Sequence, residues 1–306
     1  MIKQVLSVPL AVGENLIIQK QRIGVGKKRL CIVTGTHGDE LEGQYVAWKL
    51  ARILQENGAY LDGTADIYPA TNPLGISTMT RGIPQCDLDM NRTFPGSDKG
   101  SQSEFVAHEI VQDIAGADLC IDIHASNIYL REMPQVRINV NTAERLVPLA
   151  KHLNMNLIWI HAAATVLEST LAHSLNSIDT PTLVVEMGIG MRVTRAYGDQ
   201  LIAGILSLMA HLGMWRAPVV PVSPPIVSSD GHVSFVNADR PGIFFPSVEH
   251  GTRVAKDQEI GIIADPLTGS VSQSVKAPAA GLLFTLREYP VVYEGSLIAR
   301  ILGGSI

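Results

Sequence analysis

Among the residues able to do chemistry, His37, Glu40 and His124 stand out by type and spacing. The first two lie in Gly35-Thr36-His37-Gly38-Asp39-Glu40, the third far downstream in Asp122-Ile123-His124. A His-x-x-Glu pair with one distant His offers three ligands to a metal ion and leaves a fourth position open. Structural zinc sites close all four positions, whereas catalytic sites keep one for water or substrate. Two imidazoles and a carboxylate suit one zinc ion, although other divalent first-row metals accept the same donors. The spacing therefore points towards hydrolysis. Asp122 leans to the same strand face as His124 and can hydrogen-bond its imidazole from behind. The other histidines, His161 and His173 among them, lack such a context and read as ordinary surface or core residues. Asp39 and Glu42 read as solvated acids at a helix start.

Hydrolysis of an amide also needs a base to take the proton of water and an acid to supply the leaving nitrogen. One carboxylate can do both. Glu186 ends the apolar run Pro181-Thr-Leu-Val-Val185 and precedes Met187-Gly188-Ile189-Gly190. Packing does not call for a charge there, because an unpaired buried carboxylate is costly. A structural alternative is a cap on the next loop or a pair with Arg192. Glu168, placed on a helix, and Glu132, placed in an irregular loop, are weaker candidates.

Residues 71–96 are rich in Gly, Pro, Asn and Asp and carry Arg81 and Arg92. A long loop inside a compact domain is commonly functional, and guanidinium is suited to bidentate recognition of carboxylate. Asn91 adds an amide donor beside Arg92. Asp87 and Asp89 either orient the arginines or make the turn.

The elements that must position these groups follow from periodicity. The 306 residues, 46% hydrophobic and 17% charged, suffice for a large core and two domains. Strand-like runs at 30–34, 66–69, 119–123, 157–160 and 183–185 alternate with helical patterns at 40–57, 103–117, 143–152, 166–176 and 194–212. The first helix is read with Leu41, Tyr45, Trp48 and Ala51 on one face, and Ser103 as the cap of the second. Such alternation predicts an α/β fold, a mostly parallel mixed sheet with helices on both faces. In open sheets of this kind ligands gather at the carboxyl ends of strands, where both His37 and His124 fall. Pro218–Pro225 carries four prolines in eight residues, a stiff linker. Beyond it, short β-rich runs at 243–245, 251–254, 259–263, 271–275, 281–286 and 296–301 predict a small all-β domain. The expected division is 1–222 and 223–306.

A net charge of -5 with no basic run argues against nucleic acid or an anionic membrane as partner. No stretch has the length of a membrane span, the N-terminus lacks a signal-peptide pattern, and Cys31, Cys86 and Cys120 read as reduced thiols. The expected location is cytoplasmic; a homo-oligomer stays open.

Thr36–Glu40, Asn72-Pro73, Asp89-Met90-Asn91-Arg92-Thr93-Phe94-Pro95-Gly96, Asp122–His124 and Val185-Glu186-Met187-Gly188 together resemble the succinylglutamate desuccinylase/aspartoacylase family over roughly residues 30–215. The resemblance implies a zinc-carboxypeptidase-like fold and an amidohydrolase that removes an acyl group from the nitrogen of a small amino acid or related compound. It implies His37, Glu40 and His124 as zinc ligands, Glu186 as catalytic carboxylate, and Asn91 and Arg92 as the pair that binds substrate carboxylate or polarises the scissile carbonyl. Arg81 falls near a further loop arginine, although the segment between it and Asp89 is longer here than in aspartoacylase. Met90 stands where Leu is commoner, a volume-conserving change. A tyrosine from the C-terminal domain is also implied, with Tyr289 and Tyr293 as counterparts. The C-terminal runs look like a biotinyl/lipoyl-type barrel-sandwich, but Ala264-Asp265-Pro266-Leu267-Thr268 has no lysine for a swinging arm, so the module reads as a lid or assembly surface.

The leading expectation is a zinc-dependent deacylase acting on a small anionic N-acyl substrate. A zinc carboxypeptidase or cell-wall peptide amidase keeps the metal but cleaves peptides. A non-catalytic ligand-binding protein on the same fold is the alternative from another class.

Overall fold

Alternation within single strands decides which side of this protein is core and which is chemistry. In the computed structural model, which describes residues 1–162 and 168–303, the chain begins with an antiparallel hairpin, β1 (Ile2–Pro9) and β2 (Asn15–Ile23). Then come β3 (Arg29–Thr34), α1 (Glu42–Glu56), β4 (Thr64–Tyr68), α2 (Pro73–Thr78), α3 (Gln102–Ile114) and β5 (Leu119–His124). These are followed by β6 (Leu130–Asn139), α4 (Ala143–Ala150), β7 (Leu157–His161), α5 (Leu171–Ser177), β8 (Thr182–Gly188) and α6 (Arg195–His211). The large sheet runs β1-β2-β4-β3-β5-β8-β6, with parallel pairing from β4 through β8 and antiparallel pairing at β2/β4 and β8/β6.

Leu30 and Ile32, Leu119, Ile121 and Ile123, and Leu183, Val185 and Met187 pack with α1, α4 and α6. Their neighbours Cys31, Val33 and Cys120 face α3 and α5 instead. A period of two therefore sends Asp122, His124 and Glu186 to the α3/α5 side. Both faces of the central strands are covered, which explains their continuous apolar runs.

Several local readings shift. Helix α1 buries Val46, Ala47, Leu50, Ala51 and Leu54, and leaves Trp48 55% exposed. The core face is turned from the one that included Leu41 and Trp48, and Glu40 precedes the helix. Helix α3 is capped by Ser101, whose hydroxyl accepts from Glu104 N while the Glu104 carboxylate accepts from Ser101 N, a capping box two residues earlier than Ser103. Helix α5 starts at Leu171 with Thr170 as cap; residues 166 and 167 of the longer expected helix lie outside the described residues. The 71–96 segment contains α2, opened by the Asn72 side chain and Pro73.

Strands β1, β2 and β6 are additions to the periodicity reading. Lys20, in β2, is buried against Asp66, Asp113 and Tyr68 (2.5 Å to Asp113 Oδ2, 3.2 Å to the other two). That inward charge breaks the apolar alternation. In β6, Glu132, Gln135 and Arg137 do the same, so Glu132 belongs to a strand and not to an irregular loop.

After the proline-rich segment come β9 (Ile226–Ser229), β10 (Val233–Asn237), β11 (Gly242–Pro246), β12 (Arg253–Val254), β13 (Glu259–Asp265), β14 (Ser270–Lys276), β15 (Gly281–Arg287), β16 (Val291–Val292) and β17 (Leu297–Leu302). Strands β14-β13-β11-β16 form a separate antiparallel sheet. The others extend the large one: β9 pairs with β7, and β15 pairs with β6 through Glu132–Thr285 and Arg131–Leu286. Among the described residues the C-terminal strands do not close into a barrel. No described helix is long and apolar enough to cross a membrane.

Candidate metal centre and its cavity

The strand β3 ends at Thr34, and the chain turns through Gly35 at φ 68°, a conformation natural to glycine. Gly38 then passes so close to the first turn of α2 that a Cβ there would sit 2.0 Å from the Gly75 carbonyl carbon. Only glycine fits. This close approach folds His37 back towards Glu40, whose amide donates to the His37 carbonyl (3.3 Å). His124 arrives from the end of the neighbouring strand β5.

Ligand atoms of His37, Glu40 and His124 lie within 4.8 Å of one another, and all three residues are buried. His37 Nδ1 is 2.7 Å from Glu40 Oε1, and His124 Nδ1 is 2.9 Å from Glu40 Oε2. Behind them, His37 Nε2 meets Asp89 Oδ1 (2.9 Å) and His124 Nε2 meets Asp122 Oδ2 (3.1 Å). Each imidazole thus has carboxylate oxygen at both nitrogens, so only a doubly protonated ring could donate in both directions. Burial opposes that charge, but Glu40, with Asp89 for His37 and Asp122 for His124, outweighs it and pushes both imidazoles above their usual value. Burial likewise opposes ionisation of Glu40, but the two imidazoles hold its carboxyl well below the usual range. One cation replacing the two inward Nδ1 protons would satisfy the same geometry, with Asp89 and Asp122 fixing the tautomers from behind. The donor set fits a divalent metal.

A cavity of about 750 Å³ opens over these ligands. Glu186 lines it from β8, where it stands beside His124 in the parallel register. Burial pushes its carboxyl above the ordinary value, more than Arg137 and His124 pull it down. Its ion-pair partner is Arg137 (3.5 Å), while Arg192 hydrogen-bonds the Met191 carbonyl instead. Asn91 is buried: its Oδ1 accepts from Leu171 N (3.0 Å) and its Nδ2 lies 3.5 Å from His124 Nε2. Arg92 is exposed on the rim, with Nη1 donating to the Asn91 carbonyl (2.8 Å). Arg81 reaches in from the loop to Glu40 Oε1 (2.9 Å) and Asp89 Oδ2 (3.4 Å). Asp89 therefore orients Arg81 as well as His37, and also caps the 90–92 turn through Asn91 N. The structure brings all seven expected site residues to one cavity.

Tyr289 and Tyr293 do not line it. Tyr289 stacks edge-on against Tyr129 with centroids 5.5 Å apart, and Tyr293 is exposed. The C-terminal segment enters the cavity wall through Arg300, beside Glu132, Arg137 and His161. Arg137 and Arg300 sit inside strands, where periodicity alone does not mark a charged residue as part of a site. Arg137 lies between Val136 and Ile138, and Arg300 between Ala299 and Ile301. A charge inside an apolar run, the signal that marked Glu186, was available at both.

The description "Succinylglutamate desuccinylase/Aspartoacylase catalytic domain" matches residues 26–212. The N-alpha-acetyl-L-2,4-diaminobutyric acid deacetylase of Halomonas elongata is 25% identical over 277 residues, covering 87% of this chain and 80% of that protein. The product-bound structure of the ectoine utilization protein EutE (DoeB) from Ruegeria pomeroyi superposes with a TM-score of 0.85 at 20% identity, over 99% of this chain and 95% of that one. The succinylglutamate desuccinylase/aspartoacylase structure from Rhodobacter sphaeroides gives 0.83 at 21% identity, over 100% and 96%. These likenesses span both the 26–212 region and the β-rich remainder, and the family and the Halomonas relative point to a deacylase. The chain belongs to the succinylglutamate desuccinylase/aspartoacylase family.

Proposed function

We propose that this protein is a zinc-dependent deacylase that cleaves the amide bond of a small, anionic N-acyl amino acid. The observation that carries the reading is the convergence of His37, Glu40 and His124 beside a partly buried carboxylate, Glu186, in one cavity. When bound, zinc would supply a Lewis acid for the scissile carbonyl and lower the pKa of water. Glu186 takes the proton of the attacking water and delivers it to the leaving nitrogen, yielding a carboxylic acid and a free amine. Arg92 and the Asn91 amide, with Arg81, hold the anionic substrate and the oxygen that gains charge. Asp89 and Asp122 keep the imidazoles turned inward.

A small substrate is favoured over a peptide. The cavity volume suits a ligand of a few hundred daltons, and Arg300 of the C-terminal segment forms part of its wall. The name of the Halomonas relative makes an N-acetyl amino acid the first compound to try. A cytoplasmic location accompanies this reading, consistent with Cys31 and Cys120 as buried free thiols. The test is amine release from a panel of N-acetyl, N-succinyl and N-formyl amino acids. Release that stops on chelation and returns with zinc supports the reading; no release from any member with zinc restored overturns it.

A further inference from the structure

Next to Glu186 lies a buried ionic cluster drawn from both parts of the chain. Glu132 of β6 is 1% exposed. Its Oε1 lies 2.5 Å from Arg300 Nη1 and 3.3 Å from Arg137 Nη2. Its Oε2 accepts from Thr285 Oγ1 (2.6 Å) and Gln135 Nε2 (2.8 Å). Both guanidiniums lie over the Trp159 ring, at 5.4 Å for Arg137 and 5.6 Å for Arg300. Arg137 also reaches Glu186 Oε1 through its other terminal nitrogen, at 3.5 Å.

The backbone is shaped to assemble this cluster. In the antiparallel pairing of β6 and β8, Glu132 faces Gly188 and Gln135 faces Glu186, so β6 carries one extra residue between them. Such a bulge reverses strand parity. It puts Glu132 on the same side as Gln135 and Arg137, while Val136 and Ile138 stay in the core.

Charge counting gives the cluster a direction. With one arginine, Glu132 would neutralise it and leave nothing for Glu186. With two, Arg300 at the shorter distance answers Glu132, and Arg137 retains positive charge for Glu186. Stability alone does not account for the arrangement, since Arg137 Nε, Arg300 Nε and Gln135 Oε1 are buried without hydrogen bonds among the described residues. Ion clusters of this kind are poor stabilisers compared with apolar packing.

We propose that Arg300 and Glu132 hold the Arg137 guanidinium against Glu186, so that the C-terminal segment, through Arg300 and Thr285, is a positioning part of the deacylase site. This inference rests on Glu186 being the proton carrier of the proposed reaction. Arg137, Glu132 and Arg300 are positioning residues that fix where the Glu186 carboxylate points.

The test uses the full-length, zinc-loaded protein and the variants Arg300→Met, Arg300→Lys and Glu132→Gln. Steady-state kinetics on the best amide from the panel are read with bound zinc and thermal midpoint. A second readout, crystal structures of wild type and Arg300→Met, needs no substrate. The expected result for Arg300→Met is a kcat lower by roughly ten- to a hundredfold, with KM within about twofold and zinc retained. Arg300→Lys should recover part of the loss, and in the Arg300→Met crystal Arg137 should turn to Glu132 and leave Glu186. An unchanged kcat, or an Arg137–Glu186 contact intact in Arg300→Met, overturns the proposal. So does a kcat loss that follows the thermal midpoint in every variant including Arg300→Lys. Were wild type inactive on every amide, the deacylase reading would fail, and the crystals would still decide the positioning.

Discussion

His124 and Glu186 are cross-strand partners in the parallel pairing of β5 and β8. Register alone therefore sets a proposed metal ligand beside the carboxylate proposed to move the proton. A slip of one residue would turn Glu186 into the apolar layer and expel Val185 and Met187 from it. The whole site depends on that alignment.

Asp89 should matter to the metal without touching it. Its carboxylate meets His37 Nε2 at 2.9 Å, and although burial works against its charge, His37 and Arg81 hold it well below the usual range. Asp89→Asn should weaken zinc affinity by about 10- to 100-fold, measured by competition with a chromophoric chelator. Affinity equal to wild type would remove the supporting role.

Arg92 should act on binding. In Arg92→Ala, KM for an N-acyl amino acid should rise about tenfold or more, a loss of roughly 1.4 kcal/mol or above, while bound zinc is unchanged. The matching N-acyl amine, which lacks the carboxylate, should show no such rise. Equal effects on both compounds would mean that Arg92 does not read the carboxylate.

The Gly38 position tests the backbone corner. A Cβ there meets backbone atoms of Gly75 and Ile76 at 2.0–2.4 Å, which no rotamer change relieves. Gly38→Ala should displace His37 from Glu40 and bring zinc content well below one per chain while far-ultraviolet dichroism stays close to wild type. Full zinc occupancy would show that the loop has room to adjust.

Acid stability should report on Asp66. Burial opposes its charge, but the Arg22 hydrogen bond and Lys20 outweigh it and hold the carboxyl below 3.8. The unfolded chain takes up this proton near 3.8, the folded chain only lower. The stabilisation is therefore complete above that value and is lost as pH falls through the folded value. Asp66→Asn should cost about 3 kcal/mol near neutrality and flatten the loss of stability on acidification in urea titrations. Parallel acid limbs for variant and wild type would contradict this assignment.

What could be read from the sequence followed the apolar runs. β3, β5 and β8 are buried on both faces, so they announce themselves, and His37, His124 and Glu186 fall at their ends. The strands β2 and β6 were hidden because Lys20, Glu132 and Arg137 point inwards and break the expected alternation. Arg137 and Arg300 were hidden for a second reason: their partnership with Glu132 depends on a bulge in β6 and on β17, far away in the chain. The sequence leaves Asp89 either orienting the arginines or making the turn, and its bond to His37 depends on the fold of the 71–96 segment. Neither Tyr289 nor Tyr293, the counterparts expected from the C-terminal domain, lines the cavity, to whose wall that domain contributes Arg300.

The most direct measurement compares wild type with Glu186→Gln, reading zinc per chain by mass spectrometry and amine release from the best N-acyl amino acid. The account predicts one zinc in each protein, with turnover in the variant lower by about 10²- to 10⁴-fold. Turnover that survives the substitution with zinc in place would contradict it.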